Sequence, residues 1–399
     1  MDKISVMICD DSALMRNLIG RIITEIDGFE IAGKAENGQV CLSMIEEKKP
    51  DVILLDVEMP VMNGIEFLKK RRELGLDIPV IMLSSVTTEG AAVTMQCLEL
   101  GATDFISKPG GNSVTLKISD VSTSIVDFVA SYGRVHACMH GKQVPDAEYF
   151  IQQAKLKEAE RFVIQKKGEE AAKKATESVT KILPSDRFMA PRKKEPVIIK
   201  PEREGGKIEV IAIGISTGGP NALREMFKDL DKDIKQPILV VQHMPAGFTN
   251  EFAQSLDNIC PLEVTEAKDG EPLMGGHIYI APGGKHIMVE HRAISNVIRT
   301  TEEPPRNGHR PSADVLFESI AKVYENRSLG VIMTGMGRDG AVEITEMRKK
   351  GAWTLGQDEK SCIVYGMPKV AWEMGGVQKQ IPLDNLAMQI NRLALKNEF

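Results

Sequence analysis

The sequence predicts two doubly wound α/β domains joined by a solvated connector. Short aliphatic runs of strand length alternate with helical stretches over the first third of the chain, and the same rhythm returns from Lys207. The runs are apolar throughout, as parallel strands buried on both faces require. At 399 residues the chain is also long for a single core. The expected divisions are residues 1–135, a charged and partly helical linker over 136–206, and a second domain over 207–399.

Bulk properties narrow the function. Apolar and charged fractions are those of an ordinary globular protein, and a net charge of −6 argues against a general nucleic-acid binder. The longest apolar runs, such as VIAIGI, are far too short to span or insert into a membrane. The start, MDKISVMICDD, places carboxylates where a signal peptide needs an apolar stretch. Six cysteines are scattered with no Cys-x-x-Cys pair, which suits free thiols in the cytoplasm.

In the first domain KISVMIC reads as a buried strand ending in Asp10-Asp11. Ser12 is placed to cap a helix whose inward side would hold Leu14, Leu18 and Ile22 with Met15, Ile19 and Ile26. FEIAG, DVILLD, PVIMLS and ATDFIS supply four further strands, giving a five-stranded parallel sheet. Ile125, Phe128, Val129 and Tyr132 recur at helical spacing and predict the last helix.

Working residues of such sheets gather at the carboxyl ends of the strands. Asp10 and Asp11 end the first strand, Asp56 the third, Ser84 the fourth and Lys108 follows the fifth. Three carboxylates brought together repel unless a cation sits among them, and oxygen-only ligands favour Mg²⁺. Lys108 and the Ser84 hydroxyl would then hold oxygens of a phosphoryl group on Asp56. The stretch closely resembles the response-regulator receiver family in its DD pair, LLDVEMPVMNG, LSS and DFISKP. The resemblance implies a flavodoxin-like sheet with Asp56 as phosphoryl acceptor. It also implies Mg²⁺ held by Asp10, Asp11, Asp56 and the Glu58 carbonyl, with Ser84, Phe105 and Lys108 reporting the phosphorylated state.

After Gly133 the character changes. Asp146 is placed to cap a long charged helical stretch from AEYFIQQAK onward, and PRKKEPVIIKPEREGGK reads as a solvated connector. His136, Cys138 and His140, in HACMH, invite a metal reading. Alternate residues converge on one face only in an extended segment, and a fourth ligand is missing, so incidental placement is the expectation.

From Lys207, strands are expected at IEVIAIG, PILVVQ, SLGVIMT and AWTLGQ, with helices between them. YIAPGGKHIMV reads as two strands around a Pro-Gly-Gly turn, predicting an antiparallel hairpin added to a mostly parallel sheet. Two glycine patterns compete here. Gly335-Met336-Gly337-Arg338-Asp339-Gly340 fits the dinucleotide fingerprint, with Asp358 at the distance of a ribose-binding acid. That fingerprint normally opens its fold, however, and here only the last few elements follow it. Gly214-Ile215-Ser216-Thr217-Gly218 fits the strand-to-helix turn that presents a nucleophilic serine.

The nucleophile reading uses three strand ends: Ser216, then His243, then Asp339. A serine hydroxyl needs a neighbouring base, imidazole titrates near neutrality, and a carboxylate holds its tautomer. The order Ser, His, Asp differs from that of α/β-hydrolases, which excludes a lipase-type fold. His277, His286, His291 and His309 compete as base, but none follows a buried parallel strand as His243 does.

GISTGGP, VVQHMPAGFT, YIAPGGKH, NGHRPSADVLF, VIMTGMGRDGA and SCIVYGMPK together resemble the catalytic domain of the chemotaxis-receptor methylesterase family, CheB. A receiver ahead of that domain is the family's arrangement. The resemblance implies Ser216 as nucleophile, His243 as base, Asp339 as orienting acid, and the Thr217 and Met336 backbone N–H groups as oxyanion donors. It implies glutamate γ-methyl esters of methyl-accepting chemoreceptors as substrate, glutamine deamidation as a second activity, and a chemotaxis histidine kinase as phosphodonor. No cofactor is expected at the esterase site. Arg306 stands where the family more often has an apolar residue. The remaining alternative is a phosphate-accepting signalling module whose hydrolase domain only binds a partner.

Overall fold

The computed structural model describes residues 1–85, 87–108, 118–160, 196–293 and 295–397, and it divides into two units, each described by itself. The first carries β1 (Ile4–Cys9), α1 (Ala13–Thr24), β2 (Phe29–Ala35), α2 (Gly38–Lys48) and β3 (Val52–Asp56). These are followed by α3 (Gly64–Glu73), β4 (Val80–Ser84), α4 (Thr88–Glu99), β5 (Asp104–Ser107) and α5 (Ile118–Phe128). Its five strands lie in the order β2-β1-β3-β4-β5, and every pairing is parallel. Every residue of β1, β3, β4 and β5 is buried, the physical counterpart of their unbroken apolar runs.

Ser12 caps α1 by accepting from the Met15 amide. Ile19, Ile22, Ile23 and Ile26 face the sheet, but Leu14 is 78% exposed. At about 100° per residue Leu14 lies roughly a quarter-turn from Met15, outside the stripe expected to contain it.

The connector expected from residue 136 does not begin there. The last helix of the first unit runs from α5 through a π-helical turn, Val129–Gly133, into α6 (Arg134–Met139). Gly133 allows the helix to pass close over the sheet, where a β-carbon would lie 2.6 Å from Ile4 Cγ2. A further helix, α7, covers 147–160, starting directly after Asp146 as expected. Phe150 on α7 is fully buried and stacks on Phe29 with ring centroids 4.6 Å apart. The remainder of the charged stretch, 161–195, lies outside the described residues.

HACMH is helical rather than extended. His136 and His140 therefore share one face of α6, and Cys138 is exposed away from them.

Residues 196–206 run along the second unit: Val197 N donates to Glu373 O, Glu202 N to Lys349 O, and the Trp353 indole to Gly206 O. This unit contains β6 (Val210–Ile215), α8 (Gly219–Phe227), β7 (Ile238–Gln242), α9 (Thr249–Asp257), β8 (Glu263–Glu266) and β9 (His277–Ile280). It continues with β10 (His286–His291), β11 (Asn296–Thr301), α10 (Ala313–Val323), β12 (Ser328–Ile332) and α11 (Ala341–Lys349). Last come β13 (Trp353–Gln357), α12 (Met367–Glu373), β14 (Lys379–Ile381) and α13 (Leu383–Lys396).

Seven strands form one parallel sheet, β14-β13-β12-β6-β7-β9-β8. An antiparallel hairpin is present, though not around the Pro-Gly-Gly turn. β9 joins the large sheet beside β7, whereas β10 pairs with β11 in a separate two-stranded sheet. That hairpin packs on α10, where the Val289 amide donates to the buried Ser319 hydroxyl.

Candidate active site

In both sheets the strand order reverses beside the first strand: at β1/β3 in one, and at β6/β12 in the other. Each reversal opens a crevice at the carboxyl ends of the strands. Asp10, Asp11 and Asp56 meet at the first crevice; Ser216, His243 and Asp339 meet at the second.

Ser216 follows β6 on a tight turn. Its amide donates to Thr334 O, its carbonyl accepts from Gly219 N, and Gly218 takes φ +80°, the left-handed conformation glycine allows, before α8 begins. Gly335, arriving from β12, passes so close that a β-carbon there would sit 2.8 Å from Ser216 Cβ. Gln242, at the end of β7, donates to the carbonyls of Ser216 and His243 and ties the two turns together.

His243 Nδ1 lies 3.1 Å from Ser216 Oγ, and His243 Nε2 lies 2.8 Å from Asp339 Oδ2. A carboxylate only accepts, so Nε2 carries the ring proton and Nδ1 presents its lone pair to the serine. Asp339 is buried. Oδ1 accepts from Ser312 Oγ, Asn307 Nδ2 and the Asp314 amide, and Oδ2 accepts from the Ala313 amide. Ser312 and Ala313 begin α10, so the acid sits on the positive end of that helix. Burial opposes the charge, but the hydrogen bonds from His243, Ser312 and Asn307 outweigh it and hold the Asp339 carboxyl far below the usual carboxylate range.

Of the other histidines of this unit, three are engaged elsewhere. His277 meets Thr265, His286 faces the Pro304 carbonyl and His291 meets Asn296. His309 stacks on His243, with ring centroids 3.9 Å apart and planes 12° from parallel. Burial, and the neighbouring His243 ring, push the His309 pKa down to about 4. Asn307 and Ser312 are missing from the candidates read in the sequence, where His309 figures only as a competing base. They come from the loop before α10, and only NGHRPS as a polar cluster ahead of a helix hints at them. Arg306 anchors that loop by pairing with Glu318 on α10 and Glu343 on α11.

Thr217 is buried at the start of the turn before α8, and Met336 lies in the loop after β12. No hydrogen bond from either backbone amide is present among the described residues. Asp358, the acid the dinucleotide reading needs, accepts from the Ser361 amide and hydroxyl.

At the other crevice Lys108 Nζ lies 2.9 Å from Asp10 Oδ2 and 2.7 Å from Asp56 Oδ2. Asp11 is exposed at the rim, and the three acids can bring ligand oxygens within 4.8 Å of one another. Burial, against the pull of Lys108, raises the Asp56 pKa to about 6, and Asp10 adds to the rise. Two buried acids and one solvated acid of this kind suit a hard divalent cation. Ser84 and Phe105 are buried on β4 and β5, and Glu58 is exposed just beyond Asp56.

Residues 211–390 match the CheB methylesterase family, and residues 6–118 match the response regulator receiver domain. A Treponema denticola protein named protein-glutamate methylesterase/protein-glutamine glutaminase is 51% identical over 393 residues, 98% of each chain. The chain belongs to the CheB methylesterase family. A Treponema pallidum relative of the same name is 49% identical over 401 residues, covering 98% of this chain and 97% of its own. One from Desulfotalea psychrophila is 37% identical over 392 residues, 98% of each chain. Relatives of this name spanning both domains weigh against the dinucleotide reading and against a hydrolase domain that only binds. No helix among the described residues is long and apolar enough to cross a membrane.

Proposed function

We propose that this protein is a phosphorylation-regulated serine esterase that removes methyl groups from glutamate γ-methyl esters of methyl-accepting chemoreceptors and deamidates receptor glutamines. The observation that carries the reading is the continuous chain Ser216–His243–Asp339, at 3.1 and 2.8 Å. His243 Nδ1 takes the Ser216 proton as Oγ attacks the ester carbonyl, and Asp339 stabilises the imidazolium through Nε2–H. The oxyanion is received by the Thr217 and Met336 amides. His243 then gives its proton to the departing methoxide, so methanol leaves and a glutamyl ester remains on Ser216. Water, deprotonated by His243, hydrolyses that ester and restores the serine. A side-chain amide would follow the same path with ammonia as leaving group.

Asp56 is the phosphoryl acceptor in this reading, and a chemotaxis histidine kinase supplies the phosphoryl group. Asp10, Asp11, Asp56 and the Glu58 carbonyl would hold Mg²⁺, which supplies charge neutralisation for the incoming phosphoryl oxygens. Lys108 already bridges Asp10 and Asp56 and would bind one of those oxygens, while Ser84 and Phe105 respond to the change of charge. The domains of the proposal are a receiver ahead of residue 161 and an esterase from 196. Six free cysteines fit a cytoplasmic setting.

The test is methanol release from a methylated chemoreceptor preparation, with and without Mg²⁺ and a small phosphodonor. Release that rises with the phosphodonor and vanishes in Ser216→Ala is expected. Full release by folded Ser216→Ala would overturn the triad.

A further inference from the structure

A second cluster of ligating side chains lies in the receiver, apart from the aspartate crevice. His136 on α6 and His140, which caps its carboxyl end four residues later, stack with centroids 4.2 Å apart over Asp77, which lies between α3 and β4. His136 Nε2 is 3.6 Å from Asp77 Oδ1, and His140 Nε2 is 3.5 Å from Asp77 Oδ2. These separations are too long for good hydrogen bonds. They match the roughly 3.4 Å between two ligand atoms held about 2.0–2.2 Å from a tetrahedral metal ion.

The proton inventory points the same way. His140 Nδ1 lies 3.0 Å from the His136 carbonyl, which can only accept, so Nδ1 carries the hydrogen. In the neutral ring Nε2 then turns a lone pair toward the Asp77 carboxylate, an arrangement that needs a cation between them. Neither ring nitrogen of His136 has a hydrogen-bond partner among the described residues, although both are buried. On its far side His136 Nδ1 faces the buried Asp51 carboxylate at 3.7 Å. A metal-bound histidine recurrently donates its other ring N–H to such a carboxylate, and Asp51 stands on that side of the ring, just beyond hydrogen-bond distance.

Nearby cations are already engaged. Lys142 pairs with Asp51 at 2.7 Å, and Arg71 donates to the carbonyls of Ile78 and Gly101, though its charge is also felt by Asp77. Asp77 and His140 are half or more exposed, so one side of the cluster is open to water.

We propose that His136 Nε2, His140 Nε2 and an Asp77 oxygen form a binding site for a divalent transition metal, Zn²⁺ by ligand type, with water completing the coordination. Two imidazoles and one carboxylate suit zinc and its neighbours, whereas the all-oxygen crevice of Asp10, Asp11 and Asp56 suits Mg²⁺, so the two sites select different ions. Cys138, though adjacent in sequence, takes no part.

The experiment is calorimetric titration of the full chain with Zn²⁺ in excess Mg²⁺, beside the single variants His140→Ala, Asp77→Asn and Cys138→Ser. Co²⁺ titration followed by visible absorption gives the geometry, and thermal unfolding confirms that each variant is folded. Losing an outer partner costs about 10–100-fold in affinity, so loss of a ligand in His140→Ala or Asp77→Asn is expected to weaken Zn²⁺ by more than about 100-fold. Cys138→Ser should bind as the parent does, and Zn²⁺ should raise the unfolding temperature of the parent but not of His140→Ala. Equal zinc binding by parent and His140→Ala, no binding by the parent, or loss in Cys138→Ser would each overturn the proposal. The last outcome would indicate a thiol site, and the second would leave protons as the cations between these groups.

Discussion

Replacing Asp339 with Asn removes one negative charge and leaves the shape nearly unchanged. The wild-type carboxylate accepts from His243, Asn307, Ser312 and the Ala313 and Asp314 amides. The new amide nitrogen must face some of these donors. On the Oδ2 side it would oppose the fixed Ala313 amide and force His243 to carry its proton on Nδ1, where it cannot accept from Ser216. That tautomer error costs about 10⁴ in rate. On the Oδ1 side the Ser312 hydroxyl can rotate to accept, and the histidine keeps its tautomer. The loss is then the charge opposite the imidazolium, on the order of 4 kcal/mol at an effective dielectric of about 20, or about 10³ in rate. Methanol release at saturating substrate should therefore fall about 10³–10⁴-fold. The unfolding free energy should fall by about 1–3 kcal/mol, from a buried donor left unsatisfied. Ser216→Ala serves as a control that loses activity without the stability cost. A folded Asp339→Asn enzyme within about tenfold of the parent would show that the Asp339 charge does not set the His243 tautomer or stabilise its imidazolium.

Other substitutions probe the rest of the molecule. Asp56→Asn should abolish stimulation by the phosphodonor while basal methanol release persists. The raised Asp56 pKa of about 6 means the folded state holds its proton longer than the unfolded chain. Without Mg²⁺, receiver stability should thus decline as pH rises from about 4 to about 6, and Asp56→Asn should flatten that decline in thermal unfolding. His309 has the opposite sign: with its pKa lowered to about 4, the unfolded chain binds more protons between about 4 and 6.5. Esterase-domain stability should fall with acidification through that window, less so in His309→Phe; an unchanged slope would place the titration elsewhere. Phe150→Ala should destabilise the receiver by about 3–5 kcal/mol in denaturant unfolding, the range for a fully buried phenylalanine, whereas a residue in a solvated connector would cost almost nothing.

Much of this protein is legible one segment at a time. Unbroken apolar runs such as VILLD and VIAIGI become fully buried parallel strands because a strand covered on both faces has no polar side to show. The acids and the serine at their ends are visible for the same reason, since each run stops where the chain leaves the sheet. Helical rotation, by contrast, moved Leu14 out of the face assigned to it, and a helix in place of an extended segment turned HACMH from an unlikely ligand set into a histidine pair. Phe150 shows the same limit: the charges around it on α7 read as solvated, and only Phe29 across the fold explains its burial.

Strand order was decided only in three dimensions. Parallel neighbours are joined by crossovers, so nothing local records that β12 lies against β6, with Ser328 beside Val210 and Ile332 beside Gly214. That adjacency carries the Gly335 loop onto Ser216 and sets Asp339 opposite His243. It also lets the start of α10 deliver Ser312 and the Ala313 amide to the same carboxylate. Which residues can do chemistry is readable locally, because side-chain type and strand ends are local properties. Their assembly into one site rests on packing between segments about a hundred residues apart, where shared burial rather than sequence proximity chooses the neighbours.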